Sequence, residues 1–158
     1  MGAGKTAVMG EASDVLVSRH INHAAIDLDI VATPLLPEQL SHDVYLKNVA
    51  SLFDNCRSAG IDRALVAVVI ENTAQLEELR GVAQATEIIV GRLTAAQHTM
   101  AARLRTRDPG VRQEEFVARS RMLDTILTAA AVEDFSIDND GRDVTAVANE
   151  LLQRAGWI

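Results

Sequence analysis

An α/β fold with a parallel sheet is predicted by three features of the sequence. Stretches with apolar residues near period 3.6 alternate along the chain with short apolar runs. Two of those runs, Ala64-Leu65-Val66-Ala67-Val68-Val69-Ile70 and Thr86-Glu87-Ile88-Ile89-Val90-Gly91-Arg92-Leu93, are rich in β-branched residues, as strands covered on both faces are. Capping residues (Ser, Thr, Asp) stand before the helical stretches, and Gly60 stands after one of them. The length of 158 residues suits one domain with its own core.

In chain order, Val8, Met9, Ala12, Val15 and Leu16 share one helical face, which predicts a helix from Lys5 to Arg19. His23 to Asp29 reads as a short strand with an acidic end, and Ile30 to Ser41, with Pro34 and Pro37, reads as a loop. Ser41 or Asp43 is the expected cap of a helix reaching about Ala59, closed by Gly60. The strand from Ala64 to Ile70 ends at Glu71, and a shorter helix runs from Thr73 to Val82. After the strand from Thr86 to Leu93, Thr94 is the expected cap of a long helical region. That region breaks at Asp108-Pro109-Gly110 and resumes from about Val111 to Ala131. A last strand, Asp134 to Ile137, leads through the turn Asp138-Asn139-Asp140-Gly141 to a helix capped by Asp143 and ending near Ala155. Trp157 is expected to pack this helix onto the sheet.

Charge narrows the partners. A net charge of −7 and a pI near 5.0 argue against nucleic acid and anionic membranes, which need a basic face. No apolar run approaches the ~20 residues of a membrane span, no signal peptide precedes the first helix, and the expected compartment is the cytoplasm. Cys56, the single cysteine, reads as a structural thiol. The four histidines (His20, His23, His42, His98) lack paired metal spacing.

The strongest chemical signal is Gly2-Ala3-Gly4-Lys5-Thr6, the second half of the phosphate-binding loop G-x-x-x-x-G-K-[ST]. In that loop, main-chain N–H groups cradle phosphate oxygens, the lysine reaches the β- and γ-phosphates, and the Thr hydroxyl binds Mg²⁺. Lysine is rare in this chain, with Lys5 and Lys47 the only two among fifteen cationic residues. A compact ammonium suits a narrow anion nest better than a guanidinium fork does. Asp27 and Asp29, at a strand's carboxyl end, are candidates for the metal shell and for the acceptor hydroxyl. Glu71, ending the next strand, is a candidate metal neighbour beside Thr6. An extended Asp-x-Asp would place both aspartates on one face. Arg103, Arg105, Arg107, Arg112, Arg119 and Arg121 cluster around the Pro-Gly break. Such a cluster suits a lid closing on phosphates, or a solvated face paired with Asp108, Glu114 and Glu115.

Together these residues resemble the small-molecule and nucleotide kinase branch of P-loop proteins, including adenylylsulfate, shikimate, gluconate and adenylate kinases and chloramphenicol phosphotransferase. The resemblance rests on Gly2-Ala3-Gly4-Lys5-Thr6, Asp27-Leu28-Asp29, the run from Ala102 to Arg107, and the last strand, turn and helix. It spans the whole chain as one domain with a helical lid around 103–121. It implies a three-layer fold with sheet order 2-3-1-4-5, ATP with Mg²⁺ as donor, and a small-molecule acceptor. The catalytic set would be Lys5, Asp29 and Arg107. Nucleotide would be held by Gly2, Ala3, Gly4, Lys5, Thr6, Ala7, Arg103, Arg107, Gly141 and Arg142. The metal would lie near Thr6, Asp27 and Glu71.

The motif's first glycine and the central strand that leads into it would precede Met1. Loss of ~5 buried apolar residues would forfeit roughly 7–15 kcal/mol, so about a dozen further residues are expected upstream. The form carrying them is the one expected to bind nucleotide well. A different class, a nucleotide-binding regulatory or degenerate protein without phosphotransfer, is suggested by the half motif and by Asp29-Ile30-Val31-Ala32. The absence of an [NT]-K-x-D element weighs against a GTPase.

Overall fold

Among the described residues, four short parallel strands occur as two separate pairs, set among six α-helices. The computed structural model describes residues 2–31, 37–107 and 110–158, main chain alone at 38 and 39. Its elements in order are α1 (Lys5–Ser18), β1 (Ala24–Asp27), a 3₁₀ turn (Leu28–Ile30), α2 (Glu38–Ser58), β2 (Ala64–Ala67) and α3 (Thr73–Ala83). They continue with β3 (Gly91–Thr94), α4 (Gln97–Arg107), α5 (Gln113–Ala130), β4 (Phe135–Asp138) and α6 (Val144–Arg154). The fold is therefore mixed α/β with parallel strands, as the alternating pattern predicts.

β1 pairs with β2 from Ala24 opposite Ala64 to Asp27 opposite Ala67, and β3 pairs with β4 from Gly91 opposite Phe135 to Thr94 opposite Asp138. Ala24 N donates to Arg63 O, and Phe135 N to Val90 O. Alternate residues of a parallel strand turn their main-chain groups to opposite edges, so Val66 faces away from β1 and Leu93 away from β4. Among the described residues no strand pairs on those outer edges.

Local chemistry sets the boundaries. Asn72 and Asp143 cap α3 and α6 by accepting from Gln75 N and Thr145 N, both at 3.0 Å. Gly60, with φ of 77°, ends α2, and Ile61 N donates to Cys56 O at 2.9 Å beyond it. Three expectations are corrected. α2 begins at Glu38 rather than after Ser41 or Asp43, because Pro37, held at φ −51°, already presents its carbonyl to Ser41 N. Thr94 is the last residue of β3 rather than a helix cap, and its carbonyl accepts from Asn139 N at 2.8 Å. The strands are shorter than the apolar runs. Val90 N is taken by the Asp134 carboxylate at 2.7 Å, so pairing starts only at Gly91. Gly91 is required there, because a Cβ would fall 2.8 Å from the Phe135 ring and 2.9 Å from Leu151. Pro34 and the Asp108-Pro109 part of the predicted break lie outside the described residues.

The main core lies under α1 and α6. Val8, Ala12 and Leu16 meet Val147, Ala148 and Leu152 together with Phe135 and Ile137 of β4, and Leu65 of β2, Leu93 of β3 and Trp157 pack against them. A second cluster, Leu28, Val49, Phe53 and Ala83, ties β1–β2 to α2 and α3, and a third (Ala101, Leu104, Val117) joins α4 to α5. Among the described residues no helix is long and apolar enough to cross a membrane. Leu152 is 0 % exposed whereas Val17 of α1 is 62 % exposed. Leu152→Ala should cost about 2–5 kcal/mol through the cavity it leaves, and Val17→Ala less than ~0.5 kcal/mol. Urea midpoints at unchanged m-value measure both.

Candidate functional site

The start of α1 is a bend of left-handed glycines followed by an open helix end. Gly2 has φ of 78°, and Gly4, the residue before α1, has φ of 96° and ψ of 17°. A Cβ at Gly4 would also lie 2.5 Å from Asn139 Nδ2, so glycine is needed on two counts. Unlike α3 and α6, α1 has no side-chain cap; like them, it has no acidic residue in its first turn. Its first N–H groups and the positive end of its dipole are thus open to an anion.

Two aspartates face this bend. Thr6 Oγ1 donates to Asp27 Oδ2 at 2.6 Å, and Lys5 Nζ lies 2.9 Å from Asp29 Oδ2. The remaining oxygens hold the main chain: Asp27 Oδ1 accepts from Asp29 N at 3.1 Å, and Asp29 Oδ1 accepts from Val69 N at 3.3 Å. Strand β1 ends at Asp27, so the expected extended Asp-x-Asp face is corrected: Asp27 caps a 3₁₀ turn that carries Asp29. The turn gives the carboxylates separate tasks, one toward Thr6 and the other toward Lys5. Because β2 runs beside β1, its continuation supplies the amide that orients Asp29.

The other side of the bend is anchored from β4 and α4. Asn139, 5 % exposed just after β4, donates from Nδ2 to Ala3 O at 2.7 Å. Arg103 donates to Gly2 O at 3.5 Å and to Asn139 O at 3.0 Å. Arg103 is thus placed on one carbonyl of the bend and on that of Asn139, one turn of α4 before the exposed Arg107. Asn139 was not among the expected site residues; its position just past a strand's carboxyl end is the one sequence signal it carries. Gly141, with φ of 63°, lies in the turn after it, and Arg142 reaches back to Asp138 O and to Glu150 of α6. Ala7 is exposed in the first turn of α1.

The structure joins Lys5, Thr6, Asp27 and Asp29 in one cluster. Glu71 pairs with Arg119 of α5, and its amide bonds to Gln75. No group of three or more metal-type side chains forms among the described residues. Arg105 and Arg112 pair with Glu114 and Glu115 at 3.2 and 2.8 Å, as a solvated helical face does.

A cavity of about 290 Å³ opens beside Asp29, between the end of β2 and the helices α2 and α3. Tyr45 lines it, and its phenol is pushed above the ordinary 10.0, first by burial and then by the charges of Asp29 and Glu78. No protein-family model matches this chain, and no curated protein is found similar to it.

Tyr45 is the only tyrosine, so phenolate absorbance reads it alone. Its midpoint should lie above 10.0 and fall part of the way back in Glu78→Gln. The neutral phenol's contribution to stability is present below the unfolded pKa of about 10 and lost as pH rises through the higher folded value. A midpoint in Glu78→Gln equal to or above that of the wild type would contradict this assignment.

Proposed function

We propose that this protein is an ATP-dependent phosphotransferase of the P-loop kinase type, moving the γ-phosphoryl group to a hydroxyl or phosphate of a small metabolite. The observation that carries the reading is the meeting of Lys5 and Thr6, at an uncapped helix start, with Asp29 and Asp27. Sequence motif and geometry point to one chemistry, since an open helix end with glycines at positive φ is a ready anion site. The strand pairing supports the three-layer fold with order 2-3-1-4-5. Pairs β1–β2 and β3–β4 are the flanks that order places on either side of a central strand, and α1 shares its core with both.

Thr6 and Asp27 offer two hard oxygens 2.6 Å apart, a donor set suited to Mg²⁺, which takes one or two protein ligands and keeps several waters. When bound, Mg²⁺ supplies charge neutralisation at the β- and γ-phosphates. Lys5 and Asp29 neutralise each other at 2.9 Å. A triphosphate draws the ammonium away, which leaves the Asp29 carboxylate able to accept the acceptor's proton. The acceptor oxygen bonds to the γ-phosphorus as the bond to the β–γ bridging oxygen breaks, and ADP departs. Positioning and charge neutralisation at the loop supply most of the rate. Glu71, committed to Arg119, links the end of β2 to α5 and has no direct part in this step.

Mg-ATP should raise the melting temperature of the protein, and Lys5→Ala should remove the rise and lower acceptor-stimulated ADP release at least a hundredfold. Unchanged ATP consumption in Lys5→Ala would sink the assignment. Binding of Mg-ATP with no ADP release under any metabolite pool identifies a regulatory nucleotide-binding protein instead.

A further inference from the structure

We propose that the cavity beside Asp29 receives the phosphoryl acceptor, and that this acceptor is an alcohol with an apolar body and no anionic group, neutral or bearing an amine. The inference rests on reading Asp29 as the acceptor's base.

The cavity touches the loop through a single group. Asp29 lines it while holding Lys5, so a hydroxyl entering the cavity meets the carboxylate that the ammonium has to leave. The floor is apolar: Leu28 and Val49 are nearly fully buried, and Val68, Leu79 and Val82 complete it. Its volume of about 290 Å³ stands at the low end of small-molecule sites, which suits a compact ligand.

The polar groups at the mouth decide the charge. They are Asp29, Tyr45, Gln75 and the pair His42–Glu78, whose Nε2 and Oε1 lie 3.0 Å apart. No lysine or arginine lines the cavity among the described residues. Sites for carboxylate or phosphate substrates use cationic forks, and none is supplied here. Burial first, and then the charges of Asp29 and Glu78, oppose ionisation of the Tyr45 phenol at this mouth, and the same two charges would oppose an anionic ligand. An ammonium on the ligand meets Glu78, which is 38 % exposed and so can be changed without burying an unpaired group.

A matched series tests this: 1-phenylethanol, 2-amino-1-phenylethanol and mandelate share one body and differ in charge. Binding without nucleotide is followed by saturation-transfer NMR, and ADP release is followed with Mg-ATP. The neutral and amine-bearing alcohols should bind and stimulate ADP release, and mandelate should do both at least tenfold more weakly. Glu78→Gln should narrow the preference for the amine over the neutral alcohol at least fivefold. Mandelate binding as well as its partners overturns the charge assignment. Mg-ATP turnover stimulated only by anionic alcohols overturns the acceptor class while sparing the kinase reading. Selective binding of the two alcohols without Mg-ATP binding overturns the acceptor role together with the kinase reading.

Discussion

The packing of α1 fixes the geometry of both the fold and the site. Its inner face, Val8, Ala12 and Leu16, lies against α6 and reaches residues of both strand pairs. These side chains are almost wholly removed from water. Since β2 and β3 share no hydrogen bonds, the halves of the molecule are joined through side-chain burial under this helix rather than through a continuous ladder. The open end of the same helix carries Lys5 and Thr6, so the interaction that assembles the core also aims the proposed catalytic groups.

Electrostatics at that end are balanced internally. The ammonium of Lys5 and the carboxylate of Asp29 meet at 2.9 Å while each remains partly open to solvent, an arrangement of modest strength. Asp27 and Asp29 are held from behind by main-chain amides, so neither depends on the other's partner for its orientation. Opposite them, Asn139 and Arg103 bind the carbonyls of the bend.

Much of this could be read in the sequence because it follows from local chemistry. Helix α1 declared itself by the spacing of Val8, Ala12 and Leu16, and α6 by its Asp143 cap. The glycines at positions 2 and 4 announced the bend, and both take positive φ. What escaped reading depends on partners distant in sequence. Thr94 has the look of a helix cap, but its hydroxyl donates to Ile137 O, 43 residues later, and its carbonyl accepts from Asn139 N. Asn139 resembles an ordinary turn residue, and only the approach of Ala3 from the far end of the chain gives it a role. Glu71 ends an apolar run as a metal-site acid does, yet Arg119 of α5 claims it, a pairing no local pattern encodes.

The bend is tied on its left to the aspartates after β1 and on its right to Asn139 after β4. It therefore spans the seam between two blocks that lack a shared ladder. Any displacement of the bend is thus felt by both blocks at once, because side chains that follow β1 and β4 grip it from opposite sides.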